Sequence, residues 1–334
     1  MIKLNLKDKN HFHLTGSTAL NEEGFKRFTN KELESIKDVS SNVYRLARES
    51  SGIQAHFMTD SKIIKVSLTS DRVPNMTNIT SIGQMGTDLY VYNEINNEYE
   101  LCGIGKPVLN NCYYESILGE FEEKKLRKFV LNFPLYAETK EIYLEFTHDA
   151  KVIPLKEKKK RVMMYGTSIL QGASASRPGL AYANILSRRL NIEILNYGFS
   201  GSGCNEVEIA KILRTKEADL FIIDTEANSF YGLLIDRLDN FLNTFKEKKP
   251  NMKIIIVNRI PFLSDYYKKE EIYDREKHEE FFLKLKERRK DIIYIDIYNQ
   301  LADDLEITID GIHPNDYGMI KLADIFEEII KKYL

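Results

Sequence analysis

The sequence predicts an α/β fold, a doubly wound parallel sheet of five strands, preceded by an all-β sandwich. Three observations carry this. Short apolar or alternating runs without intervening helices fill roughly the first 150 residues, which is the signature of a sandwich. From Arg161 onward, apolar runs alternate with amphipathic helical stretches. Between the halves, "VIPLKEKKKR" breaks both patterns with a lysine cluster, Lys156 to Lys160, that reads as a solvated linker rather than a localisation signal. The expected domains are 1–155, a jelly-roll-like accessory sandwich, and 156–334, the parallel-sheet domain.

In the first half, "NVYRLA", "IQAHFMTD", "KIIKVSLTS", "DLYVYNE", "EYELCGIG", "CYYESILGE", "KFVLNFPL" and "EIYLEFTHD" have the length and patterning of strands. Gly, Asn, Asp and Pro punctuate them. In the second half, "RVMMYG", "IEILNYG", "DLFIIDT", "MKIIIVNR" and "IIYIDI" are apolar enough for strands buried on both faces. Helical stretches separate and follow them: "PGLAYANILSRRL", opened by Pro178, then "NEVEIAKILRTK", "YGLLIDRLDNFLNTFKEKK", "EEFFLKLKERRK" and the terminal "YGMIKLADIFEEIIKKYL".

Composition narrows the class. The 334 residues are 43% hydrophobic and 29% charged, ample for a buried core and two domains. Net charge is −2, from 48 basic and 50 acidic residues, so neither a nucleic-acid partner nor a polybasic membrane surface is expected. "MIKLNLKDKN" has no apolar segment ending in small residues, and no apolar run nears the roughly 18 residues of a membrane span. The expected localisation is cytoplasmic. Cys102, Cys112 and Cys204 are an odd number without metal spacing; they read as free thiols, with a Cys102–Cys112 pair left open. His11 and His13 stand two apart without a third ligand, so no metal is implied.

In a sheet of this kind ligands bind at the carboxyl ends of the strands. Four turns fall there: Gly166-Thr167-Ser168, "NYGFSGSG" (Asn196 to Gly203), "DTEANS" (Asp224 to Ser229) and "DGIHPN" (Asp310 to Asn315). Their residue types suit acyl transfer. A serine hydroxyl is a poor nucleophile without an adjacent base, and an imidazole, with an ordinary pKa of about 6.5, is matched to the task. Ser168 is thus the expected nucleophile, His313 its base and Asp310 the carboxylate that orients His313. Pro314 is expected to start the last helix. The Ser168 and Gly201 N–H groups and the Asn228 amide are candidates for the oxyanion hole.

These turns resemble the blocks of the SGNH (GDSL-type) hydrolase superfamily. Gly166-Thr167-Ser168 is similar to its Gly-Asp-Ser block, with Thr for Asp. Asn196 and Gly201 keep the second spacing. Asn228 falls in the third block, where Glu226-Ala227 and Ser229 depart from Gly-x-Asn-Asp. Asp310 and His313 match the last block. The resemblance implies a flavodoxin-like five-stranded sheet and ester chemistry on an O-acyl group. With the β-rich first half, the chain looks like a branch that includes carbohydrate acetylesterases and an acyltransferase.

The expected activity is therefore serine esterase action on short-chain, foremost acetyl, esters of a carbohydrate or small polyol, without cofactor. An O-acyltransferase using the same triad is the alternative. Arg177, Glu226 and Arg259, beside strand-end turns, are weaker candidates for substrate binding, with structural ion pairs the competing explanation. Two further readings trail: a non-catalytic carbohydrate-binding protein, and a nucleotide-binding oxidoreductase. The latter would use Gly198-x-x-Gly201-x-Gly203 and Asp224, but the glycine spacing is wrong for a dinucleotide fingerprint. The sandwich is read either as shaping the crevice or as mediating self-association, so a homo-oligomer stays open.

Overall fold

The antiparallel strands of the first half form two sheets that face each other across one apolar core. The computed structural model describes residues 1–20, 24–156, 160–229 and 231–334; the middle of the linker, 157–159, lies outside the described residues. The strands are β1 (Ile2–Asn5), β2 (His13–Thr15), β3 (Gln54–Thr59), β4 (Ile63–Ser70), β5 (Thr87–Asn93), β6 (Glu98–Gly105), β7 (Tyr113–Glu120), β8 (Arg127–Asn132), β9 (Thr139–Phe146) and β10 (Val152–Pro154). One sheet runs β1-β9-β4-β7; the other runs β10-β3-β8-β5-β6, with β2 added on β3. Ile64, Val66 and Leu68 alternate inward along β4, as a half-buried strand requires. Opposite them Phe57 stacks on Phe129 at 5.4 Å and meets Phe12 edge-on at 5.5 Å.

Among the described residues three short helices interrupt this half: α1 (Asn30–Ile36), α2 (Ser41–Leu46) and α3 (Ser81–Met85). The stretch "NVYRLA", expected as a strand, is α2. Ser40 caps it through a hydrogen bond from the Val43 N–H, and Val43, Leu46 and Ala47 are buried at helical spacing. Six residues fit either period, and the cap decides between them. Before α1, Thr29 and Glu32 form a reciprocal capping box, worth about 1 kcal/mol.

The second half holds the parallel sheet, in the order β12 (Glu193–Gly198), β11 (Arg161–Gly166), β13 (Leu220–Asp224), β14 (Ile254–Val257), β15 (Ile292–Ile295). Its helices are α4 (Ser168–Gln171), α5 (Tyr182–Leu190), α6 (Val207–Leu213), α7 (Tyr231–Lys246), α8 (Lys269–Arg288) and α9 (Asp316–Tyr333). Because β11 is flanked by β12 and β13, the chain reverses direction across the sheet there, which opens a crevice at the ends of these strands.

Residues of β11 alternate between two cores. Val162 and Met164 pack with α5 and α9, while Met163 and Tyr165 face α6 and α7. The first half joins both. Phe28, Leu33, Ile36, Val43 and Leu46 belong to the core beneath α6 and α7, and Ile79, Leu135 and Tyr136 to the other. The helical layer on one face of the parallel sheet is thus partly built by residues from between β2 and β3.

Arg27 locks the halves together. Fully buried, it donates through Nε to Glu49 O (3.2 Å), through Nη1 to Asn196 O (3.3 Å) and Gly198 O (2.5 Å), and through Nη2 to Leu46 O (2.6 Å). Burial pulls its pKa down to about 10, against the favourable charge of Glu49. Glu49, itself buried, takes hydrogen bonds or ion pairs from Gln171, Arg45 and Arg72. All three cysteines are free. Among the described residues no helix is long and apolar enough to cross a membrane.

Candidate active site

Ser168 is the first residue of α4, directly after Thr167 and two residues beyond the end of β11, and is 4% exposed. Its Oγ lies 3.0 Å from His313 Nε2, and His313 Nδ1 lies 2.8 Å from Asp310 Oδ2. The three side chains form one continuous hydrogen-bonded chain. The carboxylate can only accept from Nδ1–H, which leaves Nε2 as the acceptor for the Ser168 hydroxyl.

The turn that carries Asp310 and His313 is closed by its own neighbours. Asp310 Oδ1 accepts from the N–H groups of Ile312 (3.1 Å) and His313 (2.8 Å), and Gly311 supplies a φ of +85°. Ile309 N–H donates to His313 O at 2.9 Å, beside a bridge between Thr308 and Pro314. Pro314 therefore does not start the final helix as expected. Asn315 caps it, its Oδ1 accepting from Gly318 N–H at 3.0 Å, because an asparagine side chain satisfies an open helix-end donor that proline cannot. Asp310 Oδ2 also accepts from Asn78 Nδ2 at 3.0 Å, a residue of the first half. Burial pushes the Asp310 carboxyl up, but the donors of His313 and Asn78 outweigh it and hold the pKa at about 2. The group is ionised at any working pH.

Across from this turn runs the loop after β12. Asn196 ties it to α4, donating to Leu170 O (2.8 Å) and accepting from Gly198 N–H (2.9 Å). Gly203 has a φ of +75°, and a Cβ there would lie 2.2 Å from Gly166 O, so only glycine lets this loop approach β11. Gly201, at φ +63°, is exposed and open. Asn228, in the single helical turn Glu226–Asn228, donates to Ser202 O at 2.6 Å. An amide nitrogen carries two hydrogens, so one remains for a ligand. Ser168, Gly201 and Asn228 are thus on segments tied to one another around the same strand ends.

A cleft of about 660 Å³ opens beside Asp310, Gly311 and Ile312, with Ala227, Phe262, Leu263 and Tyr267 among its walls. Glu226 and Arg259 border it but are bound within the protein. Glu226 accepts from Arg259 N–H (2.7 Å) and meets His278 Nδ1 (2.9 Å), while the Arg259 guanidinium forks onto Asp265 at 2.7 and 2.6 Å. Arg177 pairs with Asp88 at 2.8 Å and with Tyr90, joining the two halves away from this cleft. Arg177 and Arg259 thus stand in ion pairs, while Glu226 is held by the Arg259 N–H and by His278. Asp224 is buried against Tyr182, and burial raises its carboxyl to about 7. It does not face solvent where a ribose hydroxyl would meet it, which removes the acid that a dinucleotide site needs. His11 pairs with Asp8, and among the described residues no group of three or more potential metal ligands occurs.

Sequence reasoning missed Asn42, Asn78, Arg27, Gln171 and the Glu226–His278 and Arg259–Asp265 pairs. Asn42 Nδ2 donates to Ser200 O (3.0 Å) and Ser202 Oγ (2.9 Å), flanking Gly201. Nothing in the spacing marks such partners: Asn42 and Ser200 are 158 residues apart, Asn78 and Asp310 232.

Residues 159–331 match the GDSL-like lipase/acylhydrolase family, and residues 4–152 match the N-terminus of SGNH-hydrolase-type esterases. Among curated proteins none matches. Among solved structures the chain is similar to a protein described as a GDSL-like lipase from Bacteroides ovatus (28% identity, TM-score 0.90, 99% of this chain and 97% of that one). It is also similar to a salicylyl-acyltransferase of a tetracycline biosynthetic pathway (17%, TM-score 0.73, 99% and 96%). A family two carbohydrate esterase from Cellvibrio japonicus shares the fold at 10% identity (TM-score 0.66, 99% and 97%). With the parallel sheet, the serine at its switch point and the family match on both halves in view, the chain belongs to the GDSL-like lipase/acylhydrolase family and is an ester hydrolase of the SGNH type.

Proposed function

We propose that the chain is a serine esterase that removes short O-acyl groups, acetyl foremost, from a carbohydrate or small polyol. The observation that carries this reading is the unbroken chain Ser168 Oγ–His313 Nε2–Asp310 at 3.0 and 2.8 Å. Ser168 Oγ attacks the ester carbonyl as its proton passes to His313 Nε2. Asp310, ionised, stabilises the imidazolium. The oxyanion takes hydrogen bonds from the Ser168 and Gly201 N–H groups and the Asn228 amide, each donor worth about 3–4 kcal/mol of barrier. His313 returns its proton to the departing alkoxide, leaving acyl-Ser168. Water, deprotonated by the same imidazole, then releases the carboxylic acid and restores the hydroxyl.

The carbohydrate assignment draws on the esterase of the same fold named above; the acetyl assignment draws on the first-half and motif resemblance. Purified protein assayed on acetyl, butyryl and octanoyl nitrophenyl esters and on acetylated xylose and glucosamine tests both. Turnover is expected to be fastest with acetyl and absent in Ser168→Ala. Activity that survives Ser168→Ala unchanged defeats the reading. The similarity to a salicylyl-acyltransferase, with a cleft beside Asp310 roomy enough for a hydroxyl-bearing acceptor, supports acyl transfer as the second reading. A new ester formed at the expense of free acid when alcohol is added distinguishes it.

A further inference from the structure

We propose that Asn42 and Asn78, both contributed by the N-terminal half, are positioning residues of the catalytic apparatus: Asn42 aims the Gly201 N–H at the developing oxyanion, and Asn78 steadies Asp310 for His313. This rests on the serine-esterase reading above. It makes the β-rich half a structural part of the site rather than an appendage.

The argument for Asn42 is one of peptide geometry. The Ser200–Gly201 peptide is trans and planar, so its C=O and N–H point in opposite directions. Asn42 Nδ2 holds the carbonyl end at 3.0 Å and reaches Ser202 Oγ, on the far side of Gly201, at 2.9 Å. The N–H end must then face away from α2. The amide cannot sit flipped, because Arg45 Nη2 donates to Asn42 Oδ1 at 3.0 Å. The preceding peptide is held as well, with Ser200 N–H donating to Gln171 Oε1 at 3.0 Å. A donor on a peptide carbonyl also polarises that peptide and strengthens its N–H as a donor. A glycine at φ +63° with open space around it has no packing of its own to supply this direction.

Asn78 acts on the other side of Ser168. Of the four described donors to the Asp310 carboxylate, it alone comes from outside the turn. Its own segment is fixed. Gln84 Oε1 accepts from the N–H groups of Asn75 and Met76, Gln84 Nε2 donates to Met76 O and Ile79 O, and Thr80 caps α3 while donating to Ser176 O. A neutral amide steadies the carboxylate yet leaves its full charge to the imidazolium. A lysine or arginine in that place would compete with His313 for it.

The test uses the full chain, with kcat, KM, melting temperature and pH–rate profiles for Asn42→Ala, Asn78→Ala, Asn78→Asp and Ser168→Ala. Asn42→Ala is expected to lower kcat roughly 10-fold or more with KM little changed and the acid limb of the profile in place. Asn78→Ala is expected to lower kcat about 3–10-fold. Asn78→Asp sets a second carboxylate beside Asp310, which favours the imidazolium and moves the acid limb to higher pH by about 0.5–1 unit. The other charged groups at the triad turn and cleft, Lys268, Asp274, Arg275 and the Arg259–Asp265 and Glu226–His278 pairs, are untouched by these variants. Asparagine variants with kcat within about twofold of the parent and an unmoved acid limb overturn the inference. So do losses that merely track a lowered melting temperature. Either result with an inactive Ser168→Ala leaves the esterase reading standing; an active Ser168→Ala overturns that reading and this inference with it.

Discussion

The two loops on either side of Ser168 are built in opposite ways. The Asp310–His313 turn closes largely on itself, with Asn78 and the Leu263 N–H among its outside contacts: the carboxylate binds the N–H groups two and three residues ahead, Thr308 bridges Pro314, and Asn315 caps the helix that follows. The 196–203 loop takes its shape largely from elsewhere. Arg27 holds the carbonyls of Asn196 and Gly198, Gln171 and Asn42 hold Ser200, and Asn42 and Asn228 hold Ser202. A self-closing turn carries its geometry in a few consecutive letters. A loop tethered by distant side chains exists only once the fold has formed.

The largest expected effect falls on the self-closing side. Replacing His313 by alanine removes the base hydrogen-bonded to Ser168, and kcat is expected to fall about 10⁴-fold with the melting temperature nearly unchanged. A loss of only a few-fold would mean that another group takes the proton. The contrasting effect on the tethered side is one of stability. Arg27→Met strips the carbonyls of Asn196, Gly198 and Leu46 of their donor and takes a favourable buried charge from Glu49, which keeps Arg45 and Arg72, at an expected cost of about 3 kcal/mol in urea unfolding. A cost below about 1 kcal/mol would show that the loop holds its shape unaided.

Two glycines of that loop sharpen the contrast. Gly203→Ala brings a Cβ against Gly166 O in a left-handed backbone, and is expected to cost about 2–3 kcal/mol together with most activity. Gly201→Ala meets nothing nearer than Asn42 Nδ2 at 3.8 Å and is expected to cost only about 1 kcal/mol. Equal costs would contradict the close approach to β11.

The smallest effect concerns pH. Burial raises the Asp224 carboxyl to about 7, above its unfolded value, so its contribution to folding is complete below about pH 4 and is lost as pH rises through 7. Asp310, held at about 2, works the other way: its contribution is present above about pH 4 and is lost as pH falls through 2. Asp224→Asn keeps an acceptor for Tyr182, and is expected to narrow the gap between melting temperatures at pH 5 and pH 8. An unchanged gap would mean that Asp224 is already ionised at pH 5.

Legibility in the sequence followed the same division. The parallel sheet could be read because its strands are apolar on both faces, as "DLFIIDT" and "MKIIIVNR" are, and Asp310 and His313 could be read because three residues contain their geometry. "NVYRLA" misled because six residues fit two periods and the deciding group, Ser40, lies just outside them. Pro314 looked like a helix start, but the next residue had the better cap. Arg177 and Arg259 looked available for substrate, since nothing local reveals that Asp88 and Asp265 engage them. Arg27, Asn42 and Asn78 left no trace, as each acts on a segment more than 150 residues away.

The most direct measurement is covalent capture of the nucleophile by a fluorophosphonate ester, read by intact mass and peptide mapping. The account predicts a single adduct on Ser168, absent in Ser168→Ala and strongly slowed in His313→Ala. An adduct on any other residue, or labelling indifferent to both substitutions, would contradict it.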